Sequence, residues 1–405
     1  DSDDTTTGGA LLYLPRGKDV TLAPVAPYTM EQMRHPFARY MFDVLGSPSS
    51  IRIAGREESL LPSRHVLATQ YTGKVEDWAR QVGRSDAIRA ADAFDNKGSF
   101  QRIVTEVLGP EYSTQPDYLP AGTPVAALCA SVASRLAGGR VVVRIPDTKI
   151  APGAGMGVLF VDSPDQIAPF LERNGIVEDG AVTAELLVER FVPNIYSPSI
   201  TYAIGEDGIG DPMVNAQILE GSRFIGGTNV LPPEVRDAVP SMREQGAKLA
   251  EHARAMGYRD FIGFDTVTTP DRTPVFVECN ARETGTTIPR TFARRMVGFD
   301  PEMERRMRWI YLINAEFGED NPLARDLDTL VARLADKGHL FDHRVSSRVE
   351  ERPKVGVHFA MEGTYDLVMA WDGEAVSDAE GFARVNEVLA DVGLERRVEL
   401  PSVNG

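Results

Sequence analysis

The segment that most constrains this chain is Phe261-Ile-Gly-Phe-Asp265-Thr-Val-Thr-Thr-Pro-Asp-Arg-Thr-Pro-Val-Phe-Val-Glu278-Cys-Asn280-Ala-Arg282. Two runs rich in β-branched and aromatic residues flank the turn signal Pro270-Asp271-Arg272-Thr273, so the segment reads as a β-hairpin. A hairpin symmetric about Asp271 and Arg272 sets Asp265 opposite Glu278, with Cβ atoms about 5 Å apart on one face. Side chains alternate along a strand, so Glu278, Asn280 and Arg282 share that face and Cys279 points away. Ile262, Phe264, Val275 and Val277 are expected to bury the opposite face, with Phe276 among the acids. Facing carboxylates repel each other. A hard divalent cation relieves this, because Mg²⁺ prefers carboxylate and carbonyl oxygens and keeps substrate phosphates as further ligands. Arg282 suits a phosphate oxygen or a developing oxyanion. The plainer alternative is a surface hairpin with solvated acids, and the apolar flanking residues weigh against it.

Upstream of the hairpin, short apolar runs up to about Asp95 suggest a small α/β layer. Its expected strands are Tyr40 to Leu45, Ser50 to Ala54 and His65 to Gln70, and its helices Val75 to Val82 and Asp86 to Ala91. Helices are then expected over Ser99 to Leu108 and Val125 to Leu136, each stopped by glycine, and a strand over Arg140 to Ile145. A Gly-rich segment, Ala151 to Gly157, precedes a strand at Val158 to Val161. Ser163, Pro164 and Gln166 form a capping-box start for a helix to about Arg173. Ala184 to Val192, Ser199 to Ile204 and Pro212 to Leu219 read as strands, and Val239 to Met256 as a long helix ending at Gly257. From about Asp300 the chain reads as helical, then as strands Val355 to Met361 and Tyr365 to Trp371, and last as a helix over Asp378 to Val392.

The acid on one strand and Glu-x-Asn-x-Arg on the next resemble the ATP-grasp superfamily, over about Asn96 to Arg295. In that superfamily the two acids and the Asn hold two Mg²⁺ ions on the phosphates of ATP, and the Arg assists the phosphorylated intermediate. The resemblance thus makes Asp265, Glu278 and Asn280 metal ligands and Arg282 catalytic. Arg140-Val-Val-Val-Arg144 resembles the strand that brings a cation to the phosphates. The superfamily usually has Lys there, so either Arg144 or Lys149 makes that contact. Asn96-Lys97 resembles an earlier ATP-contacting Lys, although a lysine at a helix start is commonly just solvated. Gly153, Gly155 and Gly157 resemble the flap that closes over the phosphates, glycine allowing backbone N–H groups to approach phosphate. Leu186-Leu-Val-Glu189-Arg190-Phe-Val192 resembles the hinge that reads adenine, through main chain near Arg190 and Val192, with an acid such as Glu189 contacting amine or ribose.

Cys279-Asn-Ala-Arg-Glu-Thr-Gly-Thr-Thr and the block after Asp300 further resemble peptide ligases of pheganomycin-type biosynthesis. The implied fold is α/β (α+β): a pre-ATP-grasp domain over 1–95, an ATP-grasp domain over 96–299 and a C-terminal domain over 300–405. Within the second, the flap-bearing part runs to about 190 and the metal-binding part over 191–299. The implied activity is ATP-dependent, Mg²⁺-dependent ligation of a carboxylic acid to an amine or peptide acceptor through an acyl-phosphate, with a non-proteinogenic amino acid as donor. Two rival readings are an ATP-binding module without ligase activity and a kinase of the same fold. Arg290, Arg294 and Arg295 either hold a substrate carboxylate or form a solvated basic face. Arg223 and a loop at Gly226-Gly227-Thr228-Asn229 are weaker candidates for touching substrate.

Composition narrows the alternatives. The 405 residues carry 59 Asp plus Glu against 43 Lys plus Arg, a net charge of −16. This offers no basic stripe for nucleic acid. No apolar run reaches the roughly 18 residues of a membrane span. Asp1 to Ala10 reads as a frayed polar terminus rather than a signal peptide. Two cysteines, Cys129 and Cys279, exclude a disulfide framework and fit a reducing cytoplasm. Histidines such as His35, His65, His252 and His358 are too scattered for a zinc site. No Gly-x-Ser-x-Gly elbow is present, and a homo-oligomer is compatible with everything above.

Overall fold

The computed structural model describes residues 19–22, 50–53, 85–147, 150, 157–220, 223–282, 284, 286–298, 300–316, 327–342, 353–361, 364–394, 397–399 and 401. The elements expected at 40–45, 65–70 and 75–82, together with Lys149, Gly153 and Gly155, lie outside these residues.

Strands β1 (Asp19–Leu22) and β2 (Ser50–Ile53) pair in parallel. Helices α1 (Ser85–Asp95) and α2 (Lys97–Val107) meet at Asn96, whose Oδ1 accepts from the N–H of Ser99 at 2.9 Å and caps α2. Next come β3 (Asp117–Leu119), α3 (Val125–Leu136), β4 (Val141–Arg144), β5 (Val158–Val161), α4 (Ile167–Arg173), the short pair β6 (Val177–Glu178) and β7 (Ala181–Val182), and β8 (Leu186–Arg190). β3, β8, β4 and β5, in that order, make an antiparallel four-stranded sheet. One face is buried with α3 and α4 through Leu128, Val132, Val141, Val143, Phe170 and Val188. The capping box at Ser163 forms, with Gln166 accepting from the N–H groups of Asp162 and Ser163 at 2.7 and 3.1 Å.

The second sheet is larger. β9 (Pro198–Ala203), β10 (Met213–Glu220) and β11 (Arg223–Thr228) precede α5 (Pro233–Arg236) and α6 (Val239–Ala255). β12 (Phe261–Thr268) and β13 (Pro274–Asn280) are the expected hairpin, followed by α7 (Thr287–Met296), α8 (Pro301–Arg306), β14 (Met307–Glu316), α9 (Leu327–Asp336), β15 (Lys354–Met361), β16 (Thr364–Asp372) and α10 (Asp378–Asp391). The eight strands run in the order β13-β12-β9-β10-β11-β14-β16-β15. This sheet continues across residue 300, because β14 pairs with β11.

Two readings of the sequence are corrected here. The helical reading after Asp300 holds for α8 and α9, but Met307-Arg-Trp-Ile-Tyr-Leu-Ile-Asn-Ala-Glu316 between them is a strand. β14 is paired on both sides, with β11 and β16, and Met307, Trp309, Ile310, Tyr311 and Leu312 are all buried, so it lacks the alternation that marks a half-exposed strand. The glycines at 226 and 227, read as a loop, sit inside β11. A Cβ on Gly226 would lie 2.0 Å from the carbonyl oxygen of Tyr311, so glycine there permits close strand approach.

α1, α2 and α6 cover one face of β9, β12 and β13. Phe94, Phe100, Tyr202, Phe264 and Phe276 fill that interface, with the Phe100 and Phe264 rings stacked at 6.0 Å. Burial of each phenylalanine contributes about 1.5–3 kcal/mol. The same packing sets the α1–α2 junction against β13, and this positions the site.

Candidate functional site

The hairpin reaches its acid pairing through a compensation. From the turn outward, Thr268 pairs with Pro274, Val267 with Val275 and Thr266 with Phe276. The register then shifts by one, so that Asp265 faces Glu278, Phe264 faces Cys279 and Gly263 faces Asn280. Val277 is the extra residue of a β-bulge. Arg272 takes φ 70°, so the turn closes one residue tighter than a symmetric one, and the bulge restores the register. Phe276 therefore does not lie among the acids. It is fully buried on the core face, edge-on to Phe264 at 6.1 Å, while Val275 falls on the acids' side of the ladder. The bulge is pinned from outside the sheet. Arg144 Nη1 donates to the Val277 carbonyl at 2.7 Å, and Gln101 Nε2 donates to the carbonyls of Phe276 and Val277 at 2.8 and 3.3 Å.

On the acid face, Lys97 Nζ lies 3.1 Å from Glu278 Oε1, with the lysine side chain 5% and the glutamate 28% exposed. Asp265 Oδ1 accepts from Ser199 Oγ and from Gln217 Nε2 at 3.0 Å, and its Oδ2 accepts from Asn280 Nδ2 at 3.1 Å. Arg282 Nη2 donates to Asn280 Oδ1 at 2.7 Å, and Nη1 donates to Asp95 Oδ1 at 3.1 Å. Burial, then the charge of Glu278, push the Asp265 carboxyl up to about 6. Glu278 moves the other way: burial raises it, but Lys97 and Arg144 outweigh that and hold it below the usual range. Burial pushes Asp95 up, against the pull of Arg282. Cys279 is buried in the opposite core, and burial raises its thiol well above the ordinary value.

Arg144 and Glu189 meet each other. Arg144 Nη2 donates to Glu189 Oε1 at 2.6 Å, Nε lies 2.6 Å from Oε2, and the two side chains are 6% and 3% exposed. Thr114 Oγ1 donates to the same Oε1 at 2.6 Å. Gly157 takes φ 91° at the start of β5, and its carbonyl accepts from the N–H of Ile145 at 2.8 Å. At the end of β8, the ladder with β3 stops at Val188, while the Phe191 N–H bonds toward β4 through Arg140 O at 2.9 Å. Backbone direction alternates, so the main-chain groups of Arg190 and Val192 point to the side beyond β3.

The structure thus gathers Lys97, Asp265, Glu278, Asn280 and Arg282 into one cluster, with Arg144 anchoring its edge. It does not bring α7 arginines to it as free cations: Arg290 and Arg294 both pair with Glu304, at 2.8 and 3.0 Å, and Arg295 is buried. Asp95, Gln101, Thr114, Ser199 and Gln217 belong to the cluster and were not read from the sequence. Only Asp95 carried a signal, as the acid two residues before Lys97. The others depend on which strands become neighbours. The open groove between α2, β3 and α3, about 450 Å³, is lined by Arg102, Asp117, Tyr118 and Arg135 and holds none of the acids. No described helix is long and apolar enough to cross a membrane.

No family model matches the sequence, and no curated protein matches it. Solved structures do match. N5-carboxyaminoimidazole synthase from Aspergillus clavatus, in complex with ADP and 5-aminoimidazole ribonucleotide, aligns at TM-score 0.55 and 14% identity, covering 93% of this chain and 99% of that one. Carboxyaminoimidazole ribonucleotide synthase from the same fungus, complexed with ATP, gives 0.53 and 13%, covering 94% and 99%. N5-carboxyaminoimidazole synthetase from Staphylococcus aureus gives 0.50 and 8%, covering 94% and 98%. What this likeness establishes is the fold, and over most of its length the chain has the α/β ATP-grasp fold.

Proposed function

We propose that this chain is an ATP-dependent ligase that joins a carboxylic acid to an amine through an acyl-phosphate and works with Mg²⁺, two ions in the fullest form. The observation that carries the reading is the Asp265–Glu278 pair, ringed by Lys97, Asn280 and Arg282. The similar Aspergillus structures hold ADP or ATP, which supports a nucleotide in the cleft.

The donor set fits a hard cation. Two carboxylates face each other across one ladder, and the charge of Glu278 is one cause of the raised Asp265 carboxyl. Among the described residues no three His, Cys, Asp or Glu side chains form a metal cluster, so the seat would be completed by Asn280 Oδ1 and nucleotide oxygens. Mg²⁺ held there would neutralise charge on the phosphates during transfer.

The chain's own groups take the remaining roles. Lys97, at the phosphate end, exchanges Glu278 for a nucleotide oxygen. Arg282 holds the acyl-phosphate oxygen and then the oxyanion formed when the amine attacks. Lys149, Gly153, Gly155 and Gly157 supply the flap that excludes water from the acyl-phosphate. The main chain at Arg190 and Val192 reads adenine. Glu189 is held by Arg144 and Thr114, so both Glu189 and Arg144 reach the nucleotide mainly by shaping its cleft. We further assign a non-proteinogenic amino acid as donor and a peptide amine as acceptor, in a cytoplasmic peptide natural-product pathway, on the Cys279-to-Thr287 resemblance.

The test is an ADP-release screen across carboxylic acids and amines, with mass spectrometry of products. ADP release that requires both, with an amide product, is the expected result. A stable phosphorylated product formed without amine would make the chain a kinase. Nucleotide binding with no ADP release across the panel would make it a non-ligating module.

A further inference from the structure

The junction between α1 and α2 brackets the acid strand from both ends. Lys97 reaches Glu278, and Asp95, two residues earlier, reaches the far end at Arg282. One oxygen, Asp95 Oδ1, accepts from both the backbone N–H of Ala281 at 2.6 Å and Arg282 Nη1 at 3.1 Å. It therefore ties down the chain just before Arg282 and one tip of its guanidinium. The other tip donates to Asn280 Oδ1 at 2.7 Å. An arginine side chain is otherwise rich in rotamers. With both terminal nitrogens engaged, the plane of this one is fixed and its remaining N–H groups have a set direction.

Resting on the ligase reading above, we propose that Asp95 is the positioning residue for Arg282, aiming its guanidinium at the acyl-phosphate and the oxyanion. The side chains of the pair are 24% and 21% exposed, so water partly screens their attraction and offsets part of its contribution to stability. Their geometry is better explained by orientation, since two hydrogen bonds to one oxygen fix both the backbone and the head group. The contact continues through Asn280 to Asp265, so Asp95 is the outer anchor of a chain that ends at the acids. It touches none of the atoms that would react.

The experiment is a double-mutant cycle on the full chain, using the acid and amine that support ADP release by the wild type. Asp95→Ala is expected to lower kcat about 10–100-fold, the usual effect of removing a supporting partner, with KM for ATP within about twofold. Asp95→Asn keeps the acceptor oxygen and is expected to recover about tenfold of that loss. Arg282→Lys is expected to lower kcat as well, and Asp95→Ala added to it should lower kcat no further. Multiplying losses in the double variant would overturn the proposal, as would a rise in KM for ATP that accounts for the Asp95→Ala defect. If Asp95→Ala melts below the assay temperature, Asp95→Ser enters the same cycle with the same two outcomes. A wild type that binds no Mg·ATP would instead refute the ligase reading itself.

Discussion

Replacing Asp265 by asparagine should make the protein more stable and inactive, and the pH dependence of that gain tests the account of the acid pair. The Asp265 carboxyl stands at about 6 in the folded chain, against an ordinary 3.8. A raised carboxyl means the ionised form is disfavoured by folding. Above pH 6 this costs about 3 kcal/mol, taking about 2 pH units at about 1.4 kcal/mol each. Between pH 6 and 4 the cost fades as the folded state takes up its proton, and below about pH 4 the residue is neutral in both states. Asparagine removes the charge but keeps an oxygen for Ser199 and Gln217. It presents an amide to Asn280 Nδ2, and one hydrogen bond is lost, about 1 kcal/mol. The net expectation at pH 8 is about 2 kcal/mol of stabilisation, a rise of about 2–5 °C in melting temperature. Thermal melts of both proteins at pH 8 and pH 4 check it. At pH 4 the gain should vanish or turn slightly negative. Adding Mg·ATP at pH 8 should then raise the melting temperature of the wild type alone. Equal stabilisation at both pH values would refute the reasoning, because it would show that the acid pair carries no electrostatic cost.

Three further outcomes are expected. Glu278→Gln leaves Lys97 without its carboxylate and should abolish ADP formation while weakening Mg·ATP by at least about a hundredfold by isothermal titration, since one metal ligand is lost. Arg144→Ala leaves the Glu189 carboxylate buried and unpaired, which should cost about 3–5 kcal/mol in urea unfolding, whereas the double change Arg144→Met, Glu189→Leu should restore most of it. Removing Mg²⁺ with a chelator should weaken ATP binding more than tenfold, measured by nucleotide titration at fixed ionic strength.

Much of the site was legible because chemistry and spacing coincide in the hairpin. Asp265, Glu278, Asn280 and Arg282 lie in one short segment, where strand alternation puts the last three on one face and the hairpin register adds Asp265. Even there the pairing emerged from two departures that cancel, the tight turn at Arg272 and the bulge at Val277. Neither has a signature in a Val-Phe-Val run, and Phe276 was misplaced as a result. Long-range neighbours were harder. Ser199 and Gln217 reach Asp265 only because β9 lies between β12 and β10, an order no local pattern encodes. The same applies to Arg144 and Glu189, which are read separately as phosphate and nucleoside contacts yet sit side by side on β4 and β8. In the fold, helices with caps and glycine stops were recovered within a few residues. β14 was missed because a strand buried on both faces has no period to display.

On the proposed function, the charges around the acids give a physical reason for a metal. Lys97, Arg144 and Arg282 face Asp95, Glu189, Asp265 and Glu278, and each cation already has a carboxylate within 3.1 Å. A cluster with one more acid than base, in a chain of net charge −16, has no surplus positive charge for a triphosphate. A cation that turned to phosphate would leave a partly or fully buried carboxylate unpaired, which is costly in a low-dielectric cleft unless another charge replaces it. A divalent ion held by Asp265, Glu278 and Asn280 would meet both demands together, supplying positive charge to the acids and to the phosphates. The proposed magnesium dependence therefore rests on the pairing of the chain's own side chains, and Lys97, whose partner Glu278 is the more exposed of the two, would be the cation freed to move onto the nucleotide.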